Sequence, residues 1–291
     1  MFSFAKLIFR VTLAGTSDRY LLFSFRRLFR DEFMRTCNER GEPLIYEQLF
    51  GQALSPDPAA VKRFQKPPLP FVFDFPVLSS SHASANDVDI ALVLAGSAVN
   101  SLSLFIASVQ RTLARCESIA QTPIILRQIL SCGVNGDFAN LLDPVGRLVS
   151  DGLVLLSPDS FPNPVLADGH SDAAVVLLTP LRLLSDGRPV RQLTFSDFVR
   201  PLMRRYSSLA YYYCGIEPNM DYKWLARQSG DVRVGSSTVQ WEEWPGMQGG
   251  LTGEVRFSAV PSDLFPFLQF GEYFHLGKGA VYGMGRYLLR Q

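Results

Sequence analysis

Residues 273–291 read YFHLGKGAVYGMGRYLLRQ, and four glycines, Gly277, Gly279, Gly283 and Gly285, punctuate the run. The amphipathic stretch before it, Asp263 to Phe274, reads as a helix, and Gly285 to Leu289 reads as a strand. Glycine turns a backbone through positive φ and lets a ligand approach bare peptide N–H groups. Lys278, Arg286 and Arg290 alternate with Tyr273, Tyr282 and Tyr287, and His275 precedes the glycines. A glycine loop between helix and strand, edged by cations, reads as an anion cradle.

Working outward, Ala173–Thr179 (AAVVLLT) reads as a buried strand. Thr194–Tyr213 reads as a helix, with Phe198, Leu202, Tyr206, Leu209 and Tyr213 at helical spacing and Arg200, Arg204 and Arg205 around it. Arg233–Trp241 and Gly250–Val260 read as strands joined by the turn PGMQGG. The second half is therefore β-α-β-β-α-β.

The first half follows the same order with insertions. Lys6–Thr12 is a strand, and Asp18 is placed to cap a helix over Arg19–Cys37. That helix buries Leu21, Phe25, Leu28 and Phe29 and carries Arg19, Arg26 and Arg30 along one side, either as a solvated face or as a phosphate-contact edge. Gly41–Gly51 is a turn and a short amphipathic segment holding Tyr46, and Ser55–Pro70, with five prolines, is an irregular connection. Phe71–Val77 is a strand that Pro76 pushes toward an edge. Asp87–Gly96 is a strand, Asn100–Cys116 a helix, Pro123–Leu130 a strand and Arg147–Leu156 an extended piece. Ser157–Ser171, with three prolines and a glycine, is the linker, which places domains at 1–165 and 166–291. His82 and His170 read as exposed loop residues. The fold class is α+β: two tandem ferredoxin-like (RRM-like, βαββαβ) domains.

The totals set limits. With 291 residues, 47% hydrophobic and 19% charged, the chain is globular. A formal net charge of +1 leaves any basic surface local. Four cysteines without a CxxC pair, and three scattered histidines, suggest no metal site, no cofactor, no disulfide framework and a reducing cytoplasm. Ile90–Gln110 is uncharged and long enough to span a bilayer, but its serines, Gly96 and Asn100 make it strand–turn–helix. The N-terminus lacks a signal-peptide layout, so no membrane association is expected.

HLGKGAVYGMGRY resembles the C-terminal glycine-rich loop of the RAMP superfamily, the repeat-associated RNA-binding proteins of CRISPR systems. FVFDFP with DVDIALVLAGSAVN, LLTPLRLLSDGRPV with TFSDFVRPLMRRYSSLAYYYCG, and LTGEVRFS resemble, in order, pieces of the CRISPR-associated endoribonucleases that process precursor CRISPR RNA. The resemblance is strong after Ala173 and loose before Phe71.

It implies a metal-independent cut in repeat RNA by the ribose 2′-OH, leaving 5′-OH and 2′,3′-cyclic phosphate ends. The partners implied are the precursor and mature repeat RNA and other CRISPR effector subunits. Such a cut needs a base, an acid and cations for the phosphorane. The family's usual early histidine is missing, since residues 1–81 contain none. The expected catalytic group is therefore His275 with Lys278, and Tyr46 or Tyr20 supplying a hydroxyl. RNA contacts are expected from Gly277, Gly279, Gly283, Gly285, Arg286, Arg19, Arg26, Arg30 and Arg205. Two other readings stay open: a non-catalytic RNA-binding RAMP subunit of an effector complex, and a glycine-loop protein for a nucleotide or small phosphate.

Overall fold

A computed structural model describes residues 1–13, 19–75, 87–143, 146–162, 170–244 and 249–290; the side chains of residues 19–24 and 150 are outside this description. The expected cap Asp18, His82, Pro76 and the boundary near residue 165 fall among the residues not described.

The chain forms two compact units, Ser3–Val61 with Lys66–Leu156, and Met1–Phe2 with Lys62–Gln65 and Ser157–Gln291. In order, the first half carries β1 (Phe4–Leu13), α1 (Arg19–Glu39), α2 (Pro43–Phe50), α3 (Pro58–Phe64), β2 (Phe71–Asp74), β3 (Asp87–Ala95), α4 (Leu102–Ala120), β4 (Ile124–Cys132) and β5 (Phe138–Asn140). Its sheet runs β2-β3-β1-β4-β5, and every neighbouring pair is antiparallel. With α1 crossing from β1 to β2 and α4 from β3 to β4, this is the ferredoxin-like order with one added edge strand. The strand β2 is at the other edge.

The core of this unit is aromatic. Phe25, Phe29 and Phe33 recur every fourth residue along α1, the spacing that keeps side chains on one helix face. Phe29 meets Phe73 at 4.7 Å, Phe33 meets Phe105 at 4.8 Å, and Phe50 meets Phe71 at 5.3 Å between ring centroids. On the outer side, the buried Glu32 binds Arg115 at 2.7 Å and so ties α1 to α4.

The second half carries β6 (His170–Leu181), a hairpin of β7 (Leu184–Ser185) and β8 (Arg188–Pro189), α5 (Phe195–Cys214), α6 (Tyr222–Asp231), β9 (Arg233–Ser237), β10 (Gln240–Glu242), β11 (Gly250–Pro261), α7 (Phe265–Phe274) and β12 (Tyr287–Arg290). Its sheet runs β10-β11-β6-β12 with β9 also on β11, again the ferredoxin-like order. Leu177 of β6 stands opposite Gly253 of β11 and Tyr287 of β12. Thr194 and Asp197 form a capping box at the start of α5, and Gly215 closes it at φ 65°. Phe195, Phe198, Leu202, Val255, Phe257, Leu268 and Tyr287 fill the space between helices and sheet.

Five expectations are corrected. Ser55–Pro70 is not irregular throughout: α3 starts at Pro58, a residue whose fixed φ suits the first helical position, and the Asp57 carboxylate accepts from Ala59 N–H at 2.9 Å. Arg147–Leu156 forms no named strand; Leu148 and Leu156 make only single bridges to Leu142 and Phe4. Arg233–Trp241 is two strands, β9 and β10, both on β11. His170 begins β6, where it pairs with Pro261. Helix α6 was not expected at all. Among the described residues no helix is long and apolar enough to cross a membrane.

Candidate functional site

The glycine loop joins α7 to β12 in the second unit. All four glycines have positive φ: Gly277 82°, Gly279 84°, Gly283 84° and Gly285 62°. A Cβ on Gly285 would sit 1.8 Å from the Leu276 carbonyl oxygen, and one on Gly277 would sit 2.6 Å from that of Arg182. Glycine is required there by backbone conformation and by close approach.

Most loop amides are already used. Leu276 N–H donates to Gly285 O at 3.2 Å, Tyr282 N–H to Gly279 O at 2.9 Å, and Gly283 N–H to Ala280 O at 3.2 Å. Lys278 N–H donates to Arg182 O at 2.9 Å and Gly285 N–H to Pro180 O at 3.1 Å, which pins the loop to the end of β6. Thr179 completes the clasp: its hydroxyl donates to Gly283 O and accepts from Arg286 N–H, each at 2.8 Å. Among the described residues, Gly277, Gly279 and Val281 are the loop amides with neither a backbone nor a side-chain acceptor. The cradle is thus narrower than the glycine count suggests. Arg182, Thr179 and Pro180 belong to it and were missed, although they sit together in LLTPLR.

The loop side chains divide. Lys278 is exposed and Arg286 partly so. His275 is 1% exposed, which corrects the expectation that it meets a phosphodiester. A sealed imidazole has no route to a bound strand in this conformation. Its backbone takes φ 53°, ψ 176° after α7, and its N–H donates to Gly271 O at 2.8 Å. That conformation is strained for any residue except glycine. His275 therefore fixes how α7 passes into the loop.

Arg205 is partly exposed, but two of its guanidinium nitrogens face inward. It lies three residues after Leu202 and four before Leu209, both wholly buried, so it shares their packed face of α5. Its Nε and Nη2 are sealed and have no hydrogen-bond partner among the described residues. Burial pushes its guanidinium down to about 10.

In the first unit, the structure brings two expected residues together. The exposed Arg30 of α1 donates through Nε to Tyr46 Oη of α2 at 2.8 Å. Arg26, one turn earlier, is exposed on the same side. Arg19 and Tyr20 begin α1, and their side chains are outside the described ones. No group of three His, Cys, Asp or Glu that could hold a metal occurs among the described residues.

The model of the CRISPR-associated endoribonuclease Cas6 family matches residues 175–287, from β6 through the clasped loop to the first residue of β12. That match lies within the second unit. A second family model, described as an N-terminal domain, matches residues 24–151. The fold is similar to that of a Cas6 product complex, with TM-score 0.62 and 14% identity over 99% of this chain and 100% of that one. A second Cas6 product complex is similar at TM-score 0.56 and 13% identity, over 99% and 100%. A chain of a partial Cas6-RT-Cas1–Cas2 complex is similar at TM-score 0.57 and 12% identity, over 100% of this chain and 46% of that one. At such identities the likeness is one of fold. No curated protein matches the chain.

Proposed function

We propose that this chain is an endoribonuclease that binds the repeat of precursor CRISPR RNA and cuts it at one phosphodiester. The observation that carries the reading is the Cas6 family match over residues 175–287, which covers the whole glycine loop and the β6 residues that clasp it. Cas6 product complexes and a Cas6-RT-Cas1–Cas2 complex among the similar folds support repeat RNA and other CRISPR proteins as partners.

The chemistry we assign is attack by the ribose 2′-OH on the adjacent phosphorus, with loss of the 5′-oxygen. The products are a 2′,3′-cyclic phosphate and a 5′-OH, and no metal is needed. Lys278, exposed between Gly277 and Gly279, whose amides have no acceptor among the described residues, is the group for phosphate charge. Tyr46, held by Arg30, is the hydroxyl for proton transfer, and Arg30 with Arg26 contributes phosphate contacts. His275 holds the loop in place. A repeat RNA carrying a single 2′-deoxy nucleotide before the scissile phosphate tests this directly. It should bind and remain whole, and cutting of the unmodified RNA should persist in EDTA. Cleavage of the deoxy substrate, or loss of cleavage in EDTA, overturns the mechanism.

The burial of His275 and the absence of histidine from residues 1–81 favour a second reading, a RAMP subunit that binds this RNA without cutting it.

A further inference from the structure

On the side of the second unit formed by α5, α6 and the end of α3 lies a cavity of about 480 Å³, separate from the glycine loop in the residues that line it. Its size falls within the range of small-molecule sites, about 300–1,000 Å³. Phe64, Met203 and Met220 give it an apolar lining. Arg200, Arg204 and Lys223 bring cations to it.

The cations differ in how they are held. Arg200 is fixed to α6, its Nη2 donating to Ala226 O at 2.7 Å and its Nε to Ser229 Oγ at 3.2 Å. Arg204, one turn along α5, and Lys223 make no ion pair or side-chain hydrogen bond with any described residue. Arg63, also in the lining, is neutralised by Glu217. The single carboxylate of the lining, Asp221, is engaged at the start of α6, accepting from Lys223 N–H at 3.1 Å and Trp224 N–H at 2.9 Å. Three cations thus face a single carboxylate around the hollow, which leaves the lining net positive and suited to an anion.

A lone phosphate would leave the apolar lining empty, and an apolar ligand would leave the cations unsatisfied. A nucleotide answers both, with its phosphate on the cations and its base against the thioethers. We infer that this cavity holds one nucleotide of a bound RNA strand, away from the phosphodiester that is cut. The inference rests on the RNA reading above.

The test combines direct titration and cross-linking on the full chain. AMP and UMP should bind at millimolar concentration or better, and inorganic phosphate at least tenfold more weakly. Arg204→Glu with Lys223→Glu should abolish nucleotide binding and weaken repeat-RNA affinity at least tenfold. Met220→Ala, at a site 41% exposed, should weaken the nucleotide while sparing phosphate. Arg227→Glu, an exposed α6 change outside the cavity lining, should alter RNA affinity less than twofold and so controls for net charge. Repeat RNA containing 4-thiouridine should cross-link to α5–α6 peptides. Equal binding of phosphate and nucleotides, or RNA cut normally with no such cross-link and no effect of the double variant, overturns the inference. RNA bound uncut, with the cross-link present, supports the cavity and overturns the cleavage reading instead.

Discussion

Gly285→Ala should unlatch the loop. A Cβ there would lie 1.8 Å from the Leu276 carbonyl oxygen, about half the ordinary contact distance, so the backbone must part locally. The parting strikes two hydrogen bonds, Leu276 N–H to Gly285 O and Gly285 N–H to Pro180 O. Each is worth about 0.5–1.5 kcal/mol. Alanine at φ 62° adds about 1–2 kcal/mol of conformational cost. The expected loss is about 2–5 kcal/mol. Gly279→Ala is the internal control. Its φ of 84° carries a similar conformational cost, but its Cβ would meet only the flexible Met284 side chain at 3.0 Å, so its loss should stay near 1–2 kcal/mol. Denaturant unfolding of the two variants, paired with repeat-RNA binding, reads both quantities. Equal losses, or a Gly285→Ala loss below about 0.5 kcal/mol, would refute the claim that the loop is a clasped structural unit.

Three further outcomes follow from the same geometry. His275→Gly should be more stable than His275→Ala by about 1–3 kcal/mol, because glycine alone takes φ 53°, ψ 176° freely; the reverse order in thermal or chemical unfolding would contradict the strain. Arg205→Met should stabilise the chain by about 1–3 kcal/mol by removing sealed donors that lack an acceptor, and a destabilised variant would mean the guanidinium has a partner after all. Lys278→Ala should slow RNA cutting on the order of 10- to 100-fold without moving the unfolding midpoint, since only its backbone N–H serves the loop. An unchanged single-turnover rate would remove Lys278 from the reaction.

The order of strands and helices was legible because its signals are local. Phe25, Phe29 and Phe33 repeat at helix spacing, AAVVLLT is a continuous apolar run, and Thr194 caps α5 where TFSD begins. What was missed is what prolines and short pieces conceal. Five prolines made Ser55–Pro70 read as irregular, although Pro58 opens a helix, and α6 went unseen although Asp221 caps it. The site was legible in position but not in role. The glycines are where the loop turns, yet their amides mostly bond within the protein, and that accounting depends on Thr179, Pro180 and Arg182, about a hundred residues earlier. Burial of His275 and of two Arg205 nitrogens is a property of packing, which residue type and spacing do not disclose.

The most direct measurement incubates the purified chain with end-labelled repeat RNA and follows the products on a denaturing gel. One discrete cut, its 5′ fragment ending in a 2′,3′-cyclic phosphate, is the result expected. A shifted but intact RNA at every protein concentration would contradict the nuclease and leave a binding subunit.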